Sequence, residues 1–307
     1  MACLVSLPQL LTAQRYNFKR YDQDSGLPNL DVRALLQDRT GFLWVGTDNG
    51  LYRYDGHHFR TFAVADGLPS SQITALAAAP EGTLWVATES GLARLRGERF
   101  EKVLISPGVR ALSLAADSQR LYVGSALGLH VAANPGWATR SPLFEFYTPP
   151  GVRSHAVHGI AVSPSGAVWF GCGTQLCRME GGRVTSLPAW GVPEDIWQGL
   201  AIDLAGNIWA RSCTRLIELP NGETRFLPRD RDLPPASTRG RLLLGRDGQL
   251  WVPTMRGLAR RTPTGWEVIG RSRGLPICRE RCCHGTLTAE SMALGRSPKR
   301  AEVNSGP

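Results

Sequence analysis

The 307-residue sequence has no run of eighteen or more apolar residues, which excludes an α-helix of membrane-spanning length within it. It has no Gly-x-Ser-x-Gly elbow, no P-loop and no Rossmann glycine fingerprint, so the usual signatures of acyl-transfer, nucleotide and dinucleotide chemistry are missing. The six histidines (His57, His58, His130, His155, His158 and His284) form no HExxH pair and have no CxxC beside them, so no metal centre and no cofactor is expected. His57 and His58 read as a surface turn. A basic stripe interleaved with aromatics is also lacking. The formal charge of +9 is diffuse and partly a tail effect: residues 271–307 hold seven Lys or Arg against three Glu, leaving +5 for the first 270. No nucleic-acid partner is expected from that distribution.

What is present is glycine, proline and a period. The 34 Gly and 21 Pro, about a sixth of the chain, are scattered and favour many tight turns over long helices, and 42% hydrophobic residues can build a sizeable core. Residues 40–54 read TGFLWVGTDNGLYRY, and 41 positions later residues 81–95 read EGTLWVATESGLARL. The aromatic of this motif recurs as Trp44, Trp85, Tyr122, Trp169, Trp209 and Trp251, at intervals of 41, 37, 47, 40 and 42. A Gly-Leu-Pro or a relative lies 18 positions before it at Gly26, Gly67, Gly151 and Gly191, and an aromatic lies eight before such a glycine at Phe18, Phe59, Phe100 and Trp266.

Each unit has room for four short strands. In the first, residues 32–38, 42–47, 51–55 and 59–64 alternate with period 2 and are separated by turn residues. A unit of about 41 residues buries little alone, whereas six or seven arranged radially bury their aromatic and aliphatic faces against one another. The fold expected is therefore all-β: a β-propeller of four-stranded blades, six recognisable and a seventh incomplete. The six aromatics are expected to fill the gaps between blades rather than to stack on a ligand. Asn49-Gly50, Ser90-Gly91, Leu127-Gly128 and Arg256-Gly257 read as turns with glycine at positive φ.

The ends depart from this grammar. Residues 1–14 read as a signal-peptide remnant, an apolar stretch ending in small residues without a basic start. The segment holding Phe18 and Gly26 aligns with Phe59 and Gly67, so it reads as a fourth strand without its first three. Register is lost at Ile277, and Cys278, Cys282 and Cys283 crowd into a basic segment; residues 277–307 are expected to be a non-repeat tail, disordered or frame-shifted. The propeller would then span 15–276.

The pattern GLPxxxVxxLxxDxxGxLWVGTxxGLxRYDGxxF, present over residues 26–59 and again over 67–100 with Ile73, Ala79, Ala87, Leu95 and Arg96 at five of its positions, resembles the two-component regulator propeller repeat. The resemblance runs over residues 16–276 and is sharpest in the first two blades. It implies an extracytoplasmic ligand-binding sensor of a bacterial two-component protein, with small molecules or glycans as partners and phosphorelay as output. That output would come from a kinase or cyclase domain encoded downstream, which this chain lacks, and no enzyme activity is expected of the chain itself.

In an antiparallel blade the strand 4 to strand 1 link and the strand 2 to strand 3 hairpin fall on one face. Candidate ligand-binding residues there are Asn29, Ser70, Ser71, Gln72, Ser154, His155, Glu194 and Asp195 on the links, and Asp48, Asn49 and Glu89 on the hairpins. Cys172 and Cys177 flank a hairpin and Cys213 occupies the matching loop one blade on. In an oxidising compartment two of the three could be joined; the preferred reading makes them small packing residues. Two other functions compete. A protein-binding scaffold would show apolar residues on one face. A hydrolase or lyase would place carboxylates at the inner ends of first strands, where blades 2 to 4 instead carry ITALAAA, RALSLAA and AVHGIAVS; only His158 is suggestive there.

Overall fold

In the computed structural model, the residues described are 18–19, 21–28, 31–105, 109–133, 143–148, 156–187, 190–231, 233–234, 242–245, 247–263 and 265–275. They form six separate four-stranded antiparallel sheets, each built from strands consecutive in sequence and paired in that order. The first strands are Val32–Gln37, Ile73–Ala78, Ala111–Ala116, Ile160–Val162, Gly199–Ile202 and Leu243–Leu244. The second strands, which carry the repeated aromatic, are Leu43–Thr47, Leu84–Thr88, Arg120–Ser125, Val168–Cys172, Ile208–Arg211 and Leu250–Thr254. The third are Gly50–Tyr54, Gly91–Arg96, Leu129–Ala133, Gln175–Glu180, Leu216–Leu219 and Gly257–Thr262. The outermost are Phe59–Phe62, Arg99–Val103, Phe144–Tyr147, Arg183–Ser186, Leu227–Pro228 and Gly265–Ile269. First strands of blades 1 to 5 pack against one another in turn, so they line the axis of a β-propeller.

The core consists of the seams between blades. Trp44 packs with Leu51 and Phe62 of its own blade and with Ile73, Leu84, Val86 and Phe100 of the next. Trp85, Tyr122, Trp169 and Trp209 occupy the same position in the four seams that follow. All five are buried, as their role as wedges requires. A wedge this deep must also satisfy its polar edge. Trp44 Nε1 donates to Asp38 at 2.7 Å, Trp209 Nε1 to Asp203 at 2.9 Å, and Tyr122 Oη to Asp117 at 2.9 Å. In blades 1, 3 and 5 an acidic residue thus orients the wedge from the turn before it, where blades 2 and 4 have Ala79 and Ser163. Burial raises the Asp38 pKa, but hydrogen bonds from Thr40, Trp44 and Phe42 outweigh this and hold it below the ordinary carboxylate value.

The Gly-Leu-Pro landmark has an equally physical cause. Gly26, Gly67 and Gly274 each end a 3-10 turn, with φ of 88°, 101° and 93°. At Gly67 a Cβ would also stand 1.9 Å from the Phe100 carbonyl oxygen, so no side chain fits. The leucine after each glycine, Leu27, Leu68 or Leu275, then plugs a seam.

The incomplete seventh position is visible at the N-terminal side. Phe18 packs on Trp251, Leu258, Ile269 and Leu275 of blade 6, as Phe100 packs on the Trp44 seam. Tyr21 meets Phe59 edge-on at 5.6 Å and 83°, matching Phe62 against Phe100 at 5.5 Å and 88°. Among the described residues, no apolar cluster joins blade 6 directly to blade 1, and Trp251 is half-buried where its five equivalents are buried. The signal-peptide reading of 1–14 and the tail reading of 277–307 lie outside the described residues.

Truncating a fully buried wedge removes both transfer free energy and packing, so Trp85→Ala is expected to cost roughly 3–5 kcal/mol, and Trp251→Ala clearly less; urea unfolding checks the order. Asp38→Ala should cost roughly 1–3 kcal/mol at neutral pH. Because the folded-state pKa of Asp38 is depressed, its contribution is present above the unfolded value of about 3.9 and is lost as pH falls through the folded one. The gap between wild type and Asp38→Ala in urea midpoints should therefore close in acid.

Candidate functional site

The links and hairpins share one face, as the antiparallel order requires, and backbone hydrogen bonds tie them to each other. Gly50 N donates to Ser71 O at 2.8 Å, Glu89 N to Gln72 O at 3.0 Å, and Asp195 N to Thr174 O at 2.9 Å. Several candidate side chains are drawn into the same locking. Asp48 receives both Nε and Nη2 of Arg33, at 2.7 and 2.6 Å, and Glu89 pairs with Arg110 at 2.6 Å. Hydrogen bonding to Asp48, against an opposing burial effect, raises the Arg33 pKa further. Asp195 accepts from Ser212 Oγ at 2.6 Å, Thr214 Oγ1 at 2.9 Å and the Ile196 amide at 2.8 Å. Ser70 Oγ accepts the Gln72 amide at 3.1 Å, and the Asn49 amide donates to Thr47 Oγ1 at 3.0 Å. Gln72 and Glu194 are exposed. Asn29, Ser154 and His155 lie outside the described residues.

What these loops surround is the mouth of the axial channel. Along each first strand the burial alternates, and the half-buried set faces the axis. Nearest the loop face that set is Arg33, Thr74, Leu112, His158 and Gln198; one pleat further in it is Leu35, Leu76, Leu114, Ile160, Leu200 and Leu242. A rim that is polar except for Leu112 therefore sits above a collar made only of leucine and isoleucine. A cavity of about 130 Å³ opens here, lined by Ser113, His158 and Gln198 among Leu76, Leu114 and Leu200. The arrangement offers hydrogen-bonding groups at the entrance and an apolar floor, the general form of a small-ligand site. His158 was legible in the sequence; Arg33, Thr74 and Gln198 were not singled out, although their position two residues before the collar position repeats in every blade.

The other face-set of the first strands must be small, because adjacent inner strands nearly touch. Ala34 pairs with Gly46 and Ala75 with Ala87, and Ser113 with Gly124. A Cβ on Gly46 would lie 2.5 Å from Ile73 of the next blade, and one on Gly171 would lie 2.5 Å from the Trp197 carbonyl oxygen. Blade 5 breaks the pattern with Gly199 opposite Arg211.

At the hairpins, the third residue after the wedge aromatic reinforces the turn, its hydroxyl donating to a glycine carbonyl oxygen in blades 1, 2, 3 and 6. Thr47 Oγ1 donates to Gly50 O at 3.0 Å in blade 1, and buried Ser125 lies 2.9 Å from His130 Nε2 in blade 3. Burial pushes the His130 pKa down. In blade 4 the matching residues, Cys172 and Cys177, are buried and joined by a disulfide. This corrects the reading of these cysteines as unlinked packing residues: they are diagonal neighbours on adjacent strands, with Cα atoms 5.9 Å apart, and so within bonding reach. Cys213 is free and exposed. His57 and His58 lie in an exposed turn capped by Asp55, as expected. Among the described residues no three metal-ligating side chains converge.

Closing a loop this short is expected to contribute roughly 2 kcal/mol. Non-reducing peptide mapping should find Cys172 joined to Cys177 with Cys213 alkylatable, and a reductant should lower the midpoint of urea unfolding by that increment.

With this geometry in hand, comparison with known proteins is informative. Residues 26–49 and 67–90, in the first two blades, match the two component regulator propeller repeat. Histidine kinase P4 of Formosa agariphila is 43% identical over 54 residues, which are 17% of this chain and 4% of that protein. The extracellular domain of a hybrid two component system from B. thetaiotaomicron superposes with a TM-score of 0.72 at 18% identity, over 85% of this chain and 37% of that one. Virginiamycin B lyase from Staphylococcus aureus superposes at 0.63 with 14% identity, over 83% and 88%. At such identities the two solved structures establish the propeller fold, while the repeat match establishes the resemblance to the regulator family. The chain spans well under half the length of its two-component relatives.

Proposed function

We propose that this chain is the ligand-binding sensor propeller of a bacterial two-component signalling protein, acting outside the cytoplasm and reporting to a kinase or cyclase domain on another segment or chain. The observation that carries the reading is the pair of regulator-propeller repeats in consecutive blades, 26–49 and 67–90. Likeness to an extracellular two-component domain supports it, and so does a disulfide within a blade, which persists in oxidising compartments. Ligand capture is assigned to the channel mouth, where His158 and Gln198 stand beside an apolar floor of Leu76, Leu114 and Leu200.

A protein-binding scaffold is the second reading, favoured by Leu127, Ile196 and Met255, which stand exposed on the loop face. The lyase likeness is one of fold, and fold does not carry activity.

A thermal-shift screen of sugars and small metabolites should yield a saturable stabilisation, about 2.7 kcal/mol when ligand reaches a hundred times Kd. The protein should leave glycosides and esters unchanged. Saturable hydrolysis by the purified chain would overturn the sensor reading in favour of an enzyme.

A further inference from the structure

Blade 5 holds a side chain that the repeat does not accommodate elsewhere. The residue two after the wedge aromatic is Gly46, Ala87, Gly124, Gly171 and Pro253 in the other blades, but Arg211 here. Its side chain is 1% exposed, and its Nε and Nη2 have no hydrogen-bond partner among the described residues. Burial draws its pKa down, and the charge of Asp230 only partly opposes this. An uncompensated buried cation destabilises a fold by several kcal/mol, so a guanidinium held this way calls for an acceptor.

The geometry indicates where that acceptor enters. Arg211 is the register partner of Gly199, and directly opposed residues project to the same side of a sheet. That side faces blade 6, since Trp209, of the same parity, packs there on Leu250 and Val252. Gly199 has no side chain and forms part of the axial cavity's lining, beside Gln198 and Leu242. The Arg211 backbone thus stands one strand spacing, about 4.8 Å, behind that of Gly199 in the cavity wall, and Gly199 has no side chain to occupy the space beside it. Two N–H donors on one planar group match the two oxygens of a carboxylate. The cavity, about 130 Å³, has the bulk of roughly four waters, which suits a carboxylate of two or three carbons.

We propose that Arg211 is the counter-charge for a small carboxylate taken into the axial cavity beside Gln198 and Gly199. This deepens the sensor reading and rests on it, by naming the chemical class of ligand and the residue that selects it.

The test is thermal unfolding of the full chain in rising sodium pyruvate or sodium acetate, against sodium chloride at equal ionic strength and against neutral galactose. Wild type should be stabilised saturably by pyruvate beyond the chloride control. Arg211→Met should lose that shift, should be at least as stable as wild type without carboxylate because the unpaired charge is gone, and Arg211→Lys should retain part of the shift. Equal shifts in wild type and Arg211→Met, or no shift in wild type, would overturn the assignment. So would an Arg211→Met protein several degrees less stable without ligand, since the guanidinium would then be satisfied within the protein. Stabilisation by galactose alone would leave the sensor reading standing while the carboxylate assignment fails.

Discussion

The fold rests on one repeated contact, an aromatic wedge driven between two four-stranded sheets. No blade has a hydrophobic core of its own; each exposes one apolar face in each direction and is completed by its neighbours. Trp44, Trp85, Tyr122, Trp169 and Trp209 therefore do the work that a single continuous core does in other domains. Everything else in the repeat serves that contact. An acidic residue in blades 1, 3 and 5 ties the wedge's polar edge, the glycine allows the link to lie against the outer strand, and the leucine after it fills the remaining space in the seam.

Stacking of this kind is local, so its strength follows the neighbours each blade has. Seams 1 to 5 contain a buried aromatic with apolar residues from both blades. Blade 6 presents Trp251 to a single aromatic, Phe18, from the N-terminal segment, and blade 1 presents Val32, Val45 and Tyr52 to Tyr21 and Leu27 of that same segment. Phe18, Tyr21 and Leu27 thus stand between blade 6 and blade 1, in the place of a seventh blade's outer edge. The proposed ligand site is placed by the same arrangement. Radial stacking brings the first strands to the axis, their period-2 alternation turns one set of residues into the channel, and the rim that results is polar except for Leu112 above a collar of leucine and isoleucine. The disulfide, the hydroxyl locks and the ion pairs of Arg33 and Arg110 hold the surrounding loops stiff, so a ligand at the mouth meets a preformed surface.

The architecture was legible because a period of about forty residues has few physical solutions, and because glycine and aromatic kept their spacing. The site was legible only as a face. Sequence placed the polar loop residues there but could not distinguish a side chain offered to a ligand from one used to tie two loops. Asp48, Glu89 and Asp195 each hold a partner within the protein. The rim residues Arg33, Thr74 and Gln198 were hidden because alternation shows that two faces exist, not which one turns to the axis. The signal for Arg211 was present in the alignment of IWARS with LWVGT. Its meaning depended on knowing that the aligned glycines sit where inner strands almost touch.

Native-state hydrogen exchange, resolved strand by strand, tests the central claim most directly. If interblade wedges hold the structure, amides of the second strands around Trp85, Tyr122 and Trp169 should be the slowest in the chain, and those around Trp251, whose wedge is half-covered, should exchange markedly faster. Equal or greater protection at Trp251, or slowest exchange in the outermost strands, would contradict it.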